Sequence, residues 1–151
     1  MLPKFLDPKN DFAFKRIFGS EKNKDILIHF LNDIFGRTMN PIEDVIFLKT
    51  AQDPEIAAQR SSIVGILCED AENNKFIVEM QVDKEPGFEK RAQYYAANAY
   101  IQQREKGTDY KDLKQVTFLA IMSSTLFPQD ERCLTHHHML DTETYEGYRD
   151  L

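Results

Sequence analysis

The sequence predicts an α/β domain that opens with two helices. Three observations carry this: two amphipathic stripes that each end at a glycine, a polar-turned hairpin in the middle of the chain, and a long helix between two apolar runs. With 151 residues, 42% hydrophobic and 11% aromatic, the chain falls in the size range of one domain with a real core, so 1–151 is read as a single domain.

Asn10 is placed to cap a first helix. Asp11 favours its positive end, and Phe14, Ile17 and Phe18 keep helical spacing up to Gly19. Ser20 is the expected cap of a second helix, in which Ile26, Leu27, Phe30, Leu31 and Ile34 form a stripe that stops at Gly36. After Asn40-Pro41 the run Val45 to Leu48 is β-branched and aromatic and reads as a first strand, and residues 50–58 read as a loop. A second strand is expected from about Arg60 to Cys68, a turn over Glu69 to Asn74, and a third strand over Phe76 to Asp83. The two-residue period of that third strand puts Phe76, Val78, Met80 and Val82 on one face and Ile77, Glu79, Gln81 and Asp83 on the other.

Pro86-Gly87 breaks the strand. A helix is predicted to follow as far as Lys106, lined on one side by Phe88, Ala92, Tyr95, Ala96 and Ala99 and ended by Gly107. The run Val116 to Met122 is apolar on both faces, as a strand covered on both sides would be, and strand, helix and strand together predict a right-handed parallel crossover. Arg132 to Asp141 is an expected edge strand, followed by a loosely held polar tail.

No apolar run approaches the roughly 20 residues of a membrane helix, and the N-terminus has an early Asp7 and no long apolar stretch, so neither a membrane span nor a secretory signal is read. Two cysteines, Cys68 and Cys133, fit reduced thiols in a cytoplasm better than a disulfide framework. The net charge of −6 repels phosphate on average. A nucleic-acid partner would therefore have to be met by a local basic patch or through bound cations.

Glu79 falls in the middle of an apolar strand, where an unpaired charge is costly to bury. A hard cation such as Mg²⁺ would offset it, needing only one or two protein carboxylates plus water and phosphate; a salt bridge or a rim position is the plainer alternative that composition alone favours. Sequence adds four separated blocks: Asp7 to Gly19, Ser62-Ile63, Glu79-Met80-Gln81, and Arg91-Ala92-Gln93-Tyr94-Tyr95. In this order and spacing they resemble the PD-(D/E)XK nuclease family transposases, also called recombination-promoting nucleases, from about Asp7 to beyond Met122.

That resemblance implies a restriction-endonuclease-like mixed β-sheet flanked by helices and a metal-dependent DNA endonuclease using Mg²⁺ or Mn²⁺. It implies DNA as the partner and no membrane, and it leaves a homodimer open. Family members usually continue well beyond this length, so the resemblance also raises a truncation at Leu151. Carried over by position, Glu79 matches the third-strand acid that holds the metal, and Gln81 matches the last motif position.

The first acid is expected in the pattern Ser-Ile-x-Asp, which here ends at Gly65. A turn centred on Glu72 would set residue 65 opposite Glu79, within the roughly 5 Å of a cross-strand pair, whereas a turn at Asn73-Asn74 would break that pairing. Gly65 thus has two readings. Either a catalytic acid has been lost, leaving an impaired nuclease or an inactive module that binds DNA or a protein, or the register is misplaced or a bulge lets Glu69, Asp70 or Asp83 reach the metal instead. Asp7 and Asp11 are weaker reserves.

Arg91 has three readings: a DNA phosphate contact, a pair with Glu79, or a solvated helix charge. Lys84, Lys90 and Lys106 form either part of a phosphate-facing patch or ordinary solvated charge. Tyr94 and Tyr95 read as core and rim aromatics. His136-His137-His138 with Cys133 gives little support for zinc, because successive strand residues point to alternate faces.

Overall fold

The computed structural model describes residues 7–48, 65–82, 85–104 and 109–148. Helix α1 spans Asp11–Phe18, and Asn10 caps it as expected, its side-chain oxygen accepting from the amides of Phe12 (3.1 Å) and Ala13 (3.3 Å). Ser20 does not cap the next helix. Its hydroxyl donates backward to the Arg16 carbonyl at 3.1 Å, a 3₁₀ turn over Glu21–Asn23 intervenes, and α2 runs over Lys24–Phe35. Gly36 ends α2 with φ of 59°, the left-handed conformation in which a helix C-terminus favours glycine. The buried face of α2 is set by Leu27 and Leu31, with Ile28, Phe30 and Phe35 packed beside them, while Ile26 is turned out.

Four strands form one mixed sheet in the order β1-β2-β3-β4: β1 is Val45–Phe47, β2 Ile66–Asp70, β3 Lys75–Gln81 and β4 Val116–Met122. The first three pair antiparallel and β4 runs parallel to β3. Helix α3, Phe88–Ile101, makes the connection between β3 and β4. It keeps Phe88, Ala92, Tyr95, Ala96 and Ala99 on its less exposed side. This helix ends before the predicted Lys106, which lies outside the described residues together with Gly107.

The sheet separates two layers. Phe76 and Val78 of β3, with Met80 beside them, meet Phe14, Leu27, Leu31, Ile42 and Val45 on the α1/α2 face. On the other face Phe118 of β4 stands across from Ile77, and its ring lies 6.4 Å from that of Phe88 on α3.

Strand β2 extends through Glu69 and Asp70, further than expected. Asp70 makes this possible by serving the turn itself: its Oδ1 accepts from the amides of Glu72 and Asn74, both at 2.9 Å, while Asn73 takes a φ of 66°. Strand β4 is packed on both faces as expected, Leu119 and Ile121 against the α1/α2 cluster and Phe118 against Phe88 of α3, although as the edge of the described sheet it is only half-buried along its length. One expectation needs correction. Arg132 to Asp141 is not an edge strand: local side-chain turns at Asp130 and Asp141 hold this segment, and its one sheet-like contact is the bridge between Leu140 and Gly147.

The two cysteines differ sharply in surroundings. Cys68 is fully buried in the core, and burial, reinforced by the charges of Asp70 and Glu69, pushes its thiol up to about 12; Cys133 is exposed. Because the thiolate is the reactive form, iodoacetamide at pH 8 is expected to label the folded chain once, at Cys133, and twice only after denaturation. Peptide mass mapping reads the result, and native labelling at Cys68 would contradict this packing.

Candidate functional site

The strand pairs of the hairpin run from Glu69 opposite Lys75 to Ile66 opposite Val78. This is the register of a turn centred on Glu72; the ladder stops at Ile66, and Gly65, in a bend just before it, lies against Val78 and Glu79. Of the two sequence-based alternatives, the Asn73-Asn74 turn is therefore the one excluded. The same alternation keeps Glu79 and Gln81 together on the α3 face, and both are buried, 6% and 8% exposed.

Arg91, one turn into α3, brings the two side chains to one point. Its Nη2 donates to Glu79 Oε1 at 2.7 Å and also to Gln81 Oε1, while Nη1 donates to Glu85 Oε2. The guanidinium also lies over the Phe88 ring, 5.4 Å from its centroid. The pairing is one-pronged: Glu79 Oε2 and Arg91 Nε are both buried with no hydrogen-bond partner. Burial pushes the Glu79 carboxyl above the ordinary glutamate range, and the Arg91 charge pulls the other way. Glu85 and Asp11 add to the upward shift and Lys15 opposes it.

Gly65 contributes no ligand, and its backbone leaves no room for one. A Cβ built there would fall on the Val78 carbonyl oxygen and within 3.0 Å of Glu79 Cα, because the chain bends onto β3 at this point. Glycine permits that close approach. Beside it opens a cleft of about 520 Å³, lined in part by Lys15, Phe47, Leu48 and Gly65; Glu79, Gln81 and Arg91 are not in its lining.

The reserve acids among the described residues are engaged elsewhere. Glu69 pairs with Lys75 at 2.9 Å, Asp70 holds the hairpin turn, Asp7 accepts from the Lys9 amide at 2.9 Å, and Asp11 pairs with Lys15 at 3.0 Å. Lys90 is exposed on α3; Asp83, Lys84 and Lys106 lie outside the described residues, as do Ser62 and Ile63. Tyr94 is exposed and meets Tyr95 edge to face at 5.8 Å. Among the described residues no set of three His, Cys, Asp or Glu side chains could hold a metal, which leaves the histidine run without a partner set.

What these residues offer a water-rich hard cation is the Glu79 carboxylate with the Gln81 amide beside it: Glu79 Oε2 is unpartnered, while Glu79 Oε1 and Gln81 Oε1 are held by Arg91. Sequence reasoning missed Glu85. Its signal was an acid just before the Pro86-Gly87 break, close enough to reach back to the first turn of the next helix.

A mixed sheet between helices, with an acid and an amide two residues apart on its third strand, is the frame of a nuclease-like α/β protein. A family model described as PD-(D/E)XK nuclease family transposase matches residues 8–151, and the chain belongs to that family. No curated protein and no solved structure matches it. Proteins of this fold generally use a divalent metal. Among the described residues no helix is long and apolar enough to cross a membrane.

Proposed function

We propose that this chain acts on DNA in the cytoplasm as a nuclease-fold member of its transposase family, with a phosphodiester-hydrolysing centre that is impaired. The observation that carries this reading is the buried, unpartnered Oε2 of Glu79 beside Gln81, with a Gly65 against the Glu79 backbone that brings no second acid. Glu79 would hold Mg²⁺ or Mn²⁺. Such an ion, when bound, acidifies a water and neutralises charge on a phosphodiester. Gln81 is suited to orient water or a phosphate oxygen through its amide. Arg91 and Lys90 on α3, with Lys84 just before it, are the proposed phosphate contacts, since a chain of charge −6 must concentrate its positive charge locally. A homodimer is compatible with this reading.

A second reading has its own support. Arg91 already neutralises Glu79, so the site is also what an inactive module that binds DNA or a protein partner would retain. Supercoiled-plasmid nicking in Mg²⁺ and in Mn²⁺, run beside a gel-shift assay with the same plasmid fragment, separates the two. Slow nicking by the native chain that Glu79→Gln abolishes is the expected result. DNA binding with no nicking favours the module, and neither binding nor nicking overturns a role on DNA. Gly65→Asp is a poor rescue, because its Cβ would collide with the Val78 carbonyl before any ligand formed.

A further inference from the structure

Two of the oxygens that a cation would meet on β3, one from Glu79 and one from Gln81, are held by the protein's own arginine. One nitrogen, Arg91 Nη2, is shared between Glu79 Oε1 and Gln81 Oε1. A divalent ion bound at that pair and this guanidinium cannot occupy the same point, and two cations beside one buried carboxylate repel each other.

A bridge serving only stability would be expected to use the fork of the guanidinium on both carboxylate oxygens. Here Glu79 Oε2 and Arg91 Nε stay unpartnered although both are buried. The other tie of Arg91 runs to Glu85, whose side chain is 48% exposed, so the guanidinium has a route towards solvent on that side. Phosphate is the natural competitor for it, because an Arg–phosphate contact uses two parallel N–H donors where Glu79 uses one.

We propose that Arg91 is an internal stand-in for the divalent ion, holding Glu79 and Gln81 in the DNA-free chain and yielding them when a DNA phosphate draws its guanidinium away. This inference rests on the reading of Glu79 as the metal-holding residue. It makes cation binding and DNA binding mutually reinforcing, with a coupling of the usual size, about 5- to 150-fold.

The test is equilibrium Mn²⁺ binding by titration calorimetry, which does not depend on cleavage. The DNA-free native chain is compared with Arg91→Met, with Glu79→Gln/Arg91→Met, and with Lys111→Met, which removes the same charge from an exposed 3₁₀ turn. Arg91→Met is expected to bind one Mn²⁺ at least about tenfold more tightly than the native chain. Lys111→Met should match the native chain, and the gain should vanish in the double variant. A short DNA duplex should give the native chain a similar gain.

Equal Mn²⁺ affinity for native and Arg91→Met proteins without DNA overturns the proposal, as does a gain that survives loss of Glu79 or appears in Lys111→Met. Absence of Mn²⁺ binding in every variant, with and without duplex, instead overturns the reading of Glu79 on which it rests. Should circular dichroism show Arg91→Met unfolded, the native chain with and without duplex decides: tightening supports the stand-in, and unchanged affinity overturns it.

Discussion

Arg91→Met is expected to lower the stability of the folded chain by about 3–5 kcal/mol in urea unfolding at pH 7.5 with EDTA present, the range for breaking a buried ion pair by removing one partner. The size follows from what is left behind. Glu79 has a side chain only 8% exposed, one oxygen already without a partner, and Arg91 as its ion-pair partner. Methionine keeps an apolar stem near Phe88, so the loss reports the charge and its hydrogen bonds more than packing. Glu79→Gln/Arg91→Met removes both charges and should recover most of that loss. A double variant as unstable as Arg91→Met alone would show that the pair does not govern the cost.

Phe14→Ala is expected to cost about 3–5 kcal/mol, the range for truncating a buried aromatic. Phe14 is completely buried, stacks at 5.0 Å against Phe18, and belongs to the cluster that ties α1 to Val45, Ile66 and Phe76. Phe12, on the same helix and 66% exposed, provides the internal comparison: Phe12→Ala should stay within about 0.5 kcal/mol of the native chain. Similar urea midpoints for the two variants would mean that α1 is not anchored as described.

Much of this arrangement was readable because it depends on short-range rules. Alternation along β3 puts Glu79 and Gln81 on one face whatever the tertiary fold, and a cap at Asn10 or a stop at Gly36 depends on the residue's own backbone. The choice between two hairpin registers stayed open because Ala71 to Asn74 offers several residues that tolerate a turn. Asp70 decided it by bonding two amides of the turn. Ser20 misled because a hydroxyl can bond back to the preceding helix as readily as it caps the next one.

Two features of the site lay beyond one-dimensional reasoning. Which of its three readings Arg91 takes depends on how closely α3 packs over β3, and the crowding at Gly65 depends on how β2 bends onto β3. Neither distance is encoded in spacing along the chain. Roles in metal, water and phosphate binding are proposals that rest on the chemistry of Glu79, Gln81 and Arg91.

The small turn closed by Asp70 and Asn74 therefore governs more than its own four residues. Strand side chains point up and down in strict succession, so a slip by a single residue on the β3 arm would turn the acid and the amide towards the phenylalanines and leucines of α1 and α2. Arg91 would then be left facing Val78 and Met80, greasy side chains with nothing to offer a cation. Chemistry at one end of the hairpin is thus addressed to its proper side of the molecule by an aspartate at the other.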